Sequence, residues 1–547
     1  MSSVVLRPCT TVQAGAVCYT AGNLRKIPKQ AWLLTLFSGA LQVLVFPTPA
    51  LYFLCWIALT PLLMAIVGPA SAKIIDAGSQ QPTSTTLGQG FLLAWVNGII
   101  FYAGTCFWIF HTLHVYGGMS PQVAVLLMVL FLLAAGTHHG LFGLLLVAAA
   151  RARHLGRNRA LILAPFFWVT AEILWEQIVG FPWQPLGTAQ VDNIPMSRIA
   201  TWTGVYGLSF EIALVNAAFA AVWILPPARR RTMFTAAMAA AVILQLGVLV
   251  RPAPLPATHS ATLVQQNIPI LEPQQWTYDF YRQTLAELAS MSTAPPGTSA
   301  ARPGLILWPE SPSPFFFNDL GFRREISTLA RNTSSYVLVG GIGMTAERRP
   351  LNSAALIAPN GAWSARYDKI HLVPFGEYVP FQSVFFFVQK ITKETGDFAR
   401  GRERTVFDVD GYKLGVFICY ESVFPDEVRL FARNGAQLFA NISNDEWFGP
   451  WSAPAQHLNM VRMRAIENRR WVLRATNTGI TVSIDPYGRV VARAPRNVRT
   501  TLEAPFALES GTTFYTRHGD WFAWGCAIIS LLSLVARVNA RPLATAN

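Results

Sequence analysis

The chain has 547 residues, 52% of them hydrophobic and 13% charged, with a mean hydropathy of +0.35 and a formal net charge of +14. A soluble globular chain carries about 25% charged residues, so this composition excludes a wholly soluble protein, a disordered chain and a nucleic-acid binder built on basic surfaces. The positive excess lies beside apolar stretches: residues 1–250 carry +8 and residues 521–547 carry +2, whereas residues 251–520 carry only +4.

A membrane-crossing helix needs about 20 mostly apolar residues. Candidate spans follow in chain order at 31–47, 50–68, 90–113, 121–149, 160–178, 203–226, 232–250 and 521–537, eight in all. Arg25, Lys26 and Lys29 precede the first, as they would a signal peptide. The second span begins directly after Pro47-Thr48-Pro49 with no small-residue cleavage site, so the first reads as an uncleaved anchor. Loop charges set the orientation. Arg7, Arg25, Lys26 and Lys29 in the N-terminal tail, then Lys73, then Arg151, Arg153, Arg157 and Arg159, then Arg229, Arg230 and Arg231, and finally Arg537 and Arg541 alternate onto one side. The opposite short loops carry only Arg198. The expected organisation is therefore a cytoplasmic tail over 1–30, seven transmembrane helices over 31–250, an extracytoplasmic domain over 251–520, and an eighth helix with a cytoplasmic tail over 521–547.

Residues 251–520 suffice for one domain with its own core. Short apolar and β-branched runs at 261–264, 304–307, 336–339, 414–418, 437–440, 471–474 and 481–484 predict strands. Helical patterns lie between some of them, at 276–290, 323–331, 425–434 and 456–468, and the mixture argues for a layered α/β domain. Gly340-Gly341-Ile342-Gly343 ends a predicted strand and lacks the following helix that a phosphate loop requires. Of six cysteines, Cys55, Cys106 and Cys526 fall in apolar spans and Cys9 and Cys18 in the tail, leaving Cys419 alone in the polar block. Neither a C-x-x-C nor an H-E-x-x-H spacing occurs, and no metal is expected.

Cys419 ends the run Gly415-Val-Phe-Ile-Cys419-Tyr420-Glu421 and reads either as a buried thiol or as a nucleophile. Two further polar clusters also adjoin apolar stretches, Trp308-Pro309-Glu310 and Tyr367-Asp368-Lys369, the latter running on to Glu377. A carboxylate, an ammonium and a thiol suffice for acyl transfer: the first moves protons, the second holds an oxyanion, the third forms a thioester. In order and spacing, Glu310, Lys369 and Cys419 resemble the triad of the nitrilase (carbon–nitrogen hydrolase) superfamily. The tract Lys369–Pro380, Asn444-Asp445-Glu446-Trp447-Phe448-Gly449, Gly180-Phe181-Pro182-Trp183, Gln456-His457, the tract 462–467 and the eight-span frame narrow the resemblance to the apolipoprotein N-acyltransferase family.

That resemblance implies a multi-pass α-helical membrane protein carrying an α-β-β-α sandwich. Glu310 is then general base and acid, Lys369 stabilises the oxyanion and Cys419 carries the acyl group. Glu377 is a supporting carboxylate, and Trp276, Tyr420, Glu421 and Trp447 match positions tied to activity or substrate placement. Glu446 stands where the family commonly has Ala. The implied donor is a membrane phospholipid and the implied acceptor a diacylglyceryl apolipoprotein, with no cofactor, no nucleic acid and a monomer in the bacterial inner membrane, its catalytic domain periplasmic. Read without the family, Glu421 is equally an ion-pair partner and Trp276 and Trp447 core aromatics. Glu172 and Glu176, on one helical face, read as a solvated or interhelical pair. Phe385, Phe386 and Phe387 read either as core or as a lid resting on lipid. The competing functions are a membrane-tethered amidase, whose acceptor is water, and a transporter or receptor with a degenerate domain.

Overall fold

A computed structural model describes residues 27–68, 85–152, 155–246, 255–271, 275–293, 304–310, 313–378 and 398–535. Cys9, Cys18 and the triplet Phe385–Phe387 lie outside the described residues. Up to residue 246 the chain is helical, and Leu87–Thr105, Pro121–Arg151, Gly156–Val179 and Val205–Ile224 are each long and apolar enough to cross a membrane. Lys29–Val45, the broken pair Cys55–Ala58 and Thr60–Val67, Pro227–Gln245 and Trp521–Val535 accompany them. Trp521–Val535 exposes Ile528, Leu531 and Leu532 while burying Ala523, Cys526 and Ser530, a face that suits lipid on one side and packed helices on the other.

Buried amides tie these helices together, as expected where no water reaches the backbone. Gln42 Nε2 donates to Asn97 Oδ1 at 2.8 Å and Asn97 Nδ2 to the Thr35 carbonyl at 3.1 Å. Asn216 Oδ1 accepts from the amides of Leu59 and Thr60 at 2.8 and 2.9 Å, and its Nδ2 donates to the Cys55 carbonyl at 2.7 Å. It thereby satisfies backbone groups left at the break between two short helices. Glu172 and Glu176 are both buried rather than solvated, and Glu176 pairs between helices. Glu172 accepts from Trp168 Nε1 at 2.9 Å and the Leu186 amide at 2.8 Å, and Glu176 accepts from Tyr206.

The block after residue 255 folds as two six-stranded sheets. Seven strands grow from the predicted runs: β1 (His259–Gln265), β2 (Leu305–Leu307), β3 (Tyr336–Met344), β7 (Tyr412–Ile418), β8 (Leu438–Ser443), β9 (Val472–Thr476) and β10 (Val482–Ile484). The chain adds β4 (Pro350–Ile357), β5 (Trp363–Asp368), β6 (Val406–Val409), β11 (Val490–Arg493) and β12 (Thr500–Phe506). One sheet has the order β12-β1-β2-β3-β4-β5 and the other β11-β10-β9-β8-β7-β6. In each, a central run of parallel strands (β1-β2-β3 and β7-β8-β9) is flanked by antiparallel ones. Helices Tyr278–Thr293 and Leu320–Thr333 pack on the first sheet, and Pro425–Arg433 and Ala453–Asn468 on the second. The layers are α-β-β-α. The glycine run 340–343 lies inside β3 rather than at its end.

Helix Ala453–Asn468 also seats the domain on the membrane helices. Gln456, fully buried, donates through Nε2 to the carbonyls of Pro47 and Thr105 at 2.9 and 3.0 Å and accepts from Trp183 Nε1 at 2.8 Å. Glu467 Oε1, from the last turn of the same helix, accepts the Val205 amide at 3.0 Å. These connections to the helical bundle, and one more from Arg462 to Asp192, leave from one helix.

Candidate active site

Parallel strands converge their C-terminal ends, which is where α/β architectures gather chemistry. Glu310 follows β2, Lys369 follows β5 and Cys419 follows β7. All three are buried; Lys369 is 1% exposed and Cys419 7%. Lys369 Nζ lies 3.3 Å from Glu310 Oε1 and 2.9 Å from Glu377 Oε1. Asn352 of β4 bridges the two carboxylates, its Nδ2 donating to Glu310 Oε1 at 2.7 Å and to Glu377 Oε1 at 2.6 Å. The remaining oxygens are held by backbone: the Asn444 amide donates to Glu310 Oε2 at 2.8 Å and the Val373 amide to Glu377 Oε2 at 2.7 Å. Two acceptors and one cation, each with several fixed partners, form a preorganised charge cluster.

Gly340 is what lets Glu310 approach. A Cβ there would meet the Pro309 carbonyl oxygen at 2.5 Å, Glu310 Cα at 2.9 Å and Ile442 Cδ1 at 3.2 Å. Gly340→Ala must therefore push the backbone of Glu310 away from Lys369. Acyl-enzyme formation is expected to slow about 100-fold, because misplacement by about an ångström costs that much. Melting should report a loss of about 1–3 kcal/mol. A variant that loads at the wild-type rate would show that the close approach is dispensable.

Cys419 occupies the left-handed region at φ 50°, unusual for a residue with a side chain, and begins the tight turn Cys419–Val423. Glu421 clamps that turn to the lysine segment. Its Oε2 accepts the Ile418 amide at 2.7 Å, and its Oε1 accepts Tyr367 Oη at 2.7 Å, the Ile370 amide at 2.6 Å and the His371 amide at 3.2 Å. One carboxylate thus fixes the loops on both sides of the Cys419 thiol, which goes beyond the ion pair that residue type alone suggests. Burial pushes Glu421 up to about 6, against the donors from Ile418 and Tyr367.

Burial likewise raises the Cys419 thiol above its ordinary range, and Glu310 adds to this, while Lys369 and a hydrogen bond with Ser443 act in the opposite direction. A thiol raised in this way acts as a nucleophile only with a base beside it. For Lys369, burial disfavours the charge, but Glu310 and Glu377 outweigh it and hold the ammonium firmly protonated.

The other predicted residues occupy the rim. Tyr420 Oη donates to the Gly180 carbonyl at 2.8 Å, and its ring stacks on Phe181, joining the nucleophile turn to the helical bundle. The Trp447 carbonyl accepts Thr112 Oγ1 at 2.7 Å, and its ring meets Tyr116 edge-on at 5.7 Å. Tyr116 Oη also donates to Glu446 Oε1 at 3.3 Å, which accounts for the extra carboxylate beside that tryptophan. Trp276 packs instead on Phe280 and the apolar cluster containing Val264, Ile268 and Trp308. Sequence reasoning did not find Asn352, which lies beside Ser353 in an otherwise apolar strand. It quoted Asp445 and His457 within family-like tracts without giving them a role and did not single out Arg474, although the three, from separate elements, form one buried set. Among the described residues no group of three or more His, Cys, Asp or Glu side chains is arranged to hold a metal.

Residues 260–514 match the carbon–nitrogen hydrolase family, and residues 38–218 match the family described as apolipoprotein N-acyltransferase N-terminal domain. An apolipoprotein N-acyltransferase of Geobacter metallireducens is 35% identical over 514 residues, covering 91% of this chain and 94% of that protein. One from Methylococcus capsulatus is 35% identical, covering 79% and 85%. One from Chlorobaculum tepidum is 29% identical, covering 95% and 99%.

Proposed function

The chain belongs to the apolipoprotein N-acyltransferase family, and from that premise we infer that it moves an acyl chain from a membrane phospholipid, through a thioester on Cys419, to the α-amino group of the diacylglyceryl-cysteine that begins an apolipoprotein. The observation that carries this reading is the cluster of Glu310, Lys369 and Cys419 at converging strand ends, in a domain bonded directly to apolar helices.

In the first half-reaction the Glu310 carboxylate takes the Cys419 proton as sulfur attacks the ester carbonyl. The oxyanion that forms is stabilised by the Lys369 ammonium, already held in place by Glu377 and Asn352. The carbon–oxygen bond breaks, Glu310 returns the proton to the departing alkoxide, and lysophospholipid leaves. In the second half-reaction the acceptor amine attacks the thioester, Glu310 takes its proton, and the carbon–sulfur bond breaks to restore the thiol. Tyr420, Glu421 and Trp447 keep the nucleophile turn and the neighbouring helix ends in register, and Trp276 supports the wall behind Glu310. Amide hydrolysis would use the same thioester, but family membership over nearly the whole chain favours the lipoprotein amine over water.

The frame that fits this chemistry has eight spans, both termini in the cytoplasm and the catalytic domain on the periplasmic face of the inner membrane, acting as a monomer. The alternation of basic loops and the four long apolar helices support it. Incubated with phospholipid alone, the purified enzyme is expected to gain the mass of one acyl chain on Cys419 and to release one equivalent of lysophospholipid. Hydroxylamine should remove the adduct, and a diacylglyceryl peptide should discharge it. Transfer to the peptide with neither adduct nor lysophospholipid would sink the thioester route.

A further inference from the structure

His457 is fully buried in helix Ala453–Asn468, one residue from Gln456, and its ring nitrogens face the nucleophile on one side and a buried ion pair on the other. Nε2 lies 3.1 Å from the Cys419 carbonyl oxygen and 2.7 Å from Ser422 Oγ. Nδ1 lies 3.1 Å from Asp445 Oδ1 and 3.2 Å from an Arg474 guanidinium nitrogen. That same nitrogen of Arg474 donates to Asp445 Oδ2 at 2.7 Å. Ser443, which touches the Cys419 thiol, donates to Asp445 Oδ1 at 2.8 Å.

Burial first, and Arg474 second, keep this imidazole neutral, and the same Arg474 charge holds Asp445 well below the usual carboxylate range despite its burial. A neutral ring has one N–H to place. Asp445 is already supplied by Arg474 and Ser443. A ring with its lone pair on Nδ1 receives the Arg474 N–H there and carries its hydrogen on Nε2, between the Cys419 carbonyl and Ser422 Oγ.

We infer that His457 is a positioning residue for the nucleophile: its Nε2–H holds the Cys419 carbonyl and so keeps the thiol-bearing residue in its left-handed conformation, pointed at the substrate ester. Because Gln456 bolts the same helix turn to Pro47, Thr105 and Trp183, the nucleophile is registered to the membrane helices through two adjacent side chains. The inference rests on the acyl-transfer reading only for the identity of the ester.

The test compares His457→Gln, whose amide nitrogen reaches the place of Nε2, with His457→Asn, whose amide reaches only the place of Nδ1. The full-length protein is acylated with p-nitrophenyl acetate, and kcat and KM are read from nitrophenolate release. His457→Gln should keep a rate within about threefold of wild type. His457→Asn should lose about tenfold or more in kcat at unchanged KM, as a displaced nucleophile does. Equal rates for the two variants, whether both normal or both lost, would overturn the assignment. A second measurement needs no folded variant: nitrogen-15 resonances of histidine in the wild-type protein should show the hydrogen of His457 on Nε2, and finding it on Nδ1 would also overturn the assignment. Wild-type enzyme that accepts p-nitrophenyl acetate but no phospholipid would count against the acyl-transfer reading while the His457 comparison still stood.

Discussion

Cys419→Ala is expected to abolish both half-reactions: no acyl adduct with phospholipid, no lysophospholipid, and no product on a lipopeptide acceptor. The fold should survive, since Ala fills most of the buried volume and Glu421 still clamps the turn through Ile418, Ile370 and His371. Melting within about 1–2 kcal/mol of wild type would confirm that the loss is chemical, as the exchange of one buried sulfur suggests. The raised thiol also fixes a pH signature in the wild-type protein. Alkylation of Cys419 by iodoacetamide should keep climbing past about pH 9, above the ordinary thiol value of about 8.5 where an exposed cysteine levels off. The sign follows from protonation: a group raised above its ordinary value holds its proton to higher pH, so the reactive thiolate appears later. A plateau near neutrality would mean a preformed thiolate–lysine ion pair and would remove the need for Glu310 as base. Normal transfer by Cys419→Ala would force a direct, non-covalent route.

Lys369→Met should be nearly as damaging to activity and far more damaging to stability. The ammonium is 1% exposed and lies between two carboxylates that Asn352 binds side by side. Removing it leaves those charges facing each other out of water, and breaking such a buried pair costs about 3–5 kcal/mol. The oxyanion loses its cation as well, for which single-donor losses run to about 100- to 1000-fold in kcat. The two effects separate by measurement, because acyl loading is read in molecules that remain folded while chemical denaturation reads the stability. Replacing Glu377 as well, in Lys369→Met/Glu377→Gln, removes one of the stranded charges. It should recover much of the stability and none of the loading. If the single variant melts like wild type, the cluster does not depend on its central cation.

The strands and site residues that could be read from the amino-acid order share one trait. β1, β2, β3 and β7–β10 are largely buried on both faces and carry short apolar stretches, and Glu310 and Cys419 stand directly beyond two of them. β5 escapes because its burial alternates along Trp363–Asp368 at the sheet edge, β11 because Val490–Arg493 is largely exposed, and β12 because Pro505 interrupts it. The candidates Glu310, Lys369 and Cys419 stood out through order, spacing and residue chemistry, and the fold brings them together. Asn352 was not, since its partners lie 42 and 25 positions away and only sheet pairing brings them together. His457 was legible as part of a family-like tract but not in role, because the carbonyl it faces belongs to the backbone and leaves no mark in the letters of the chain.

β1 pairs with β12 along its whole length, from His259 with Phe506 to Gln265 with Thr500. The first strand synthesised in this domain therefore stands unpaired on one edge until the last strand has left the ribosome. Closing so large a loop is entropically slow, and an open apolar edge invites the wrong partner meanwhile. Biogenesis thus has a natural checkpoint at the end of translation. Chains stalled or clipped before residue 500 should remain protease-sensitive and prone to chaperone capture even though Glu310, Lys369 and Cys419 have already been made, and resistance should appear abruptly once β12 is available rather than growing strand by strand.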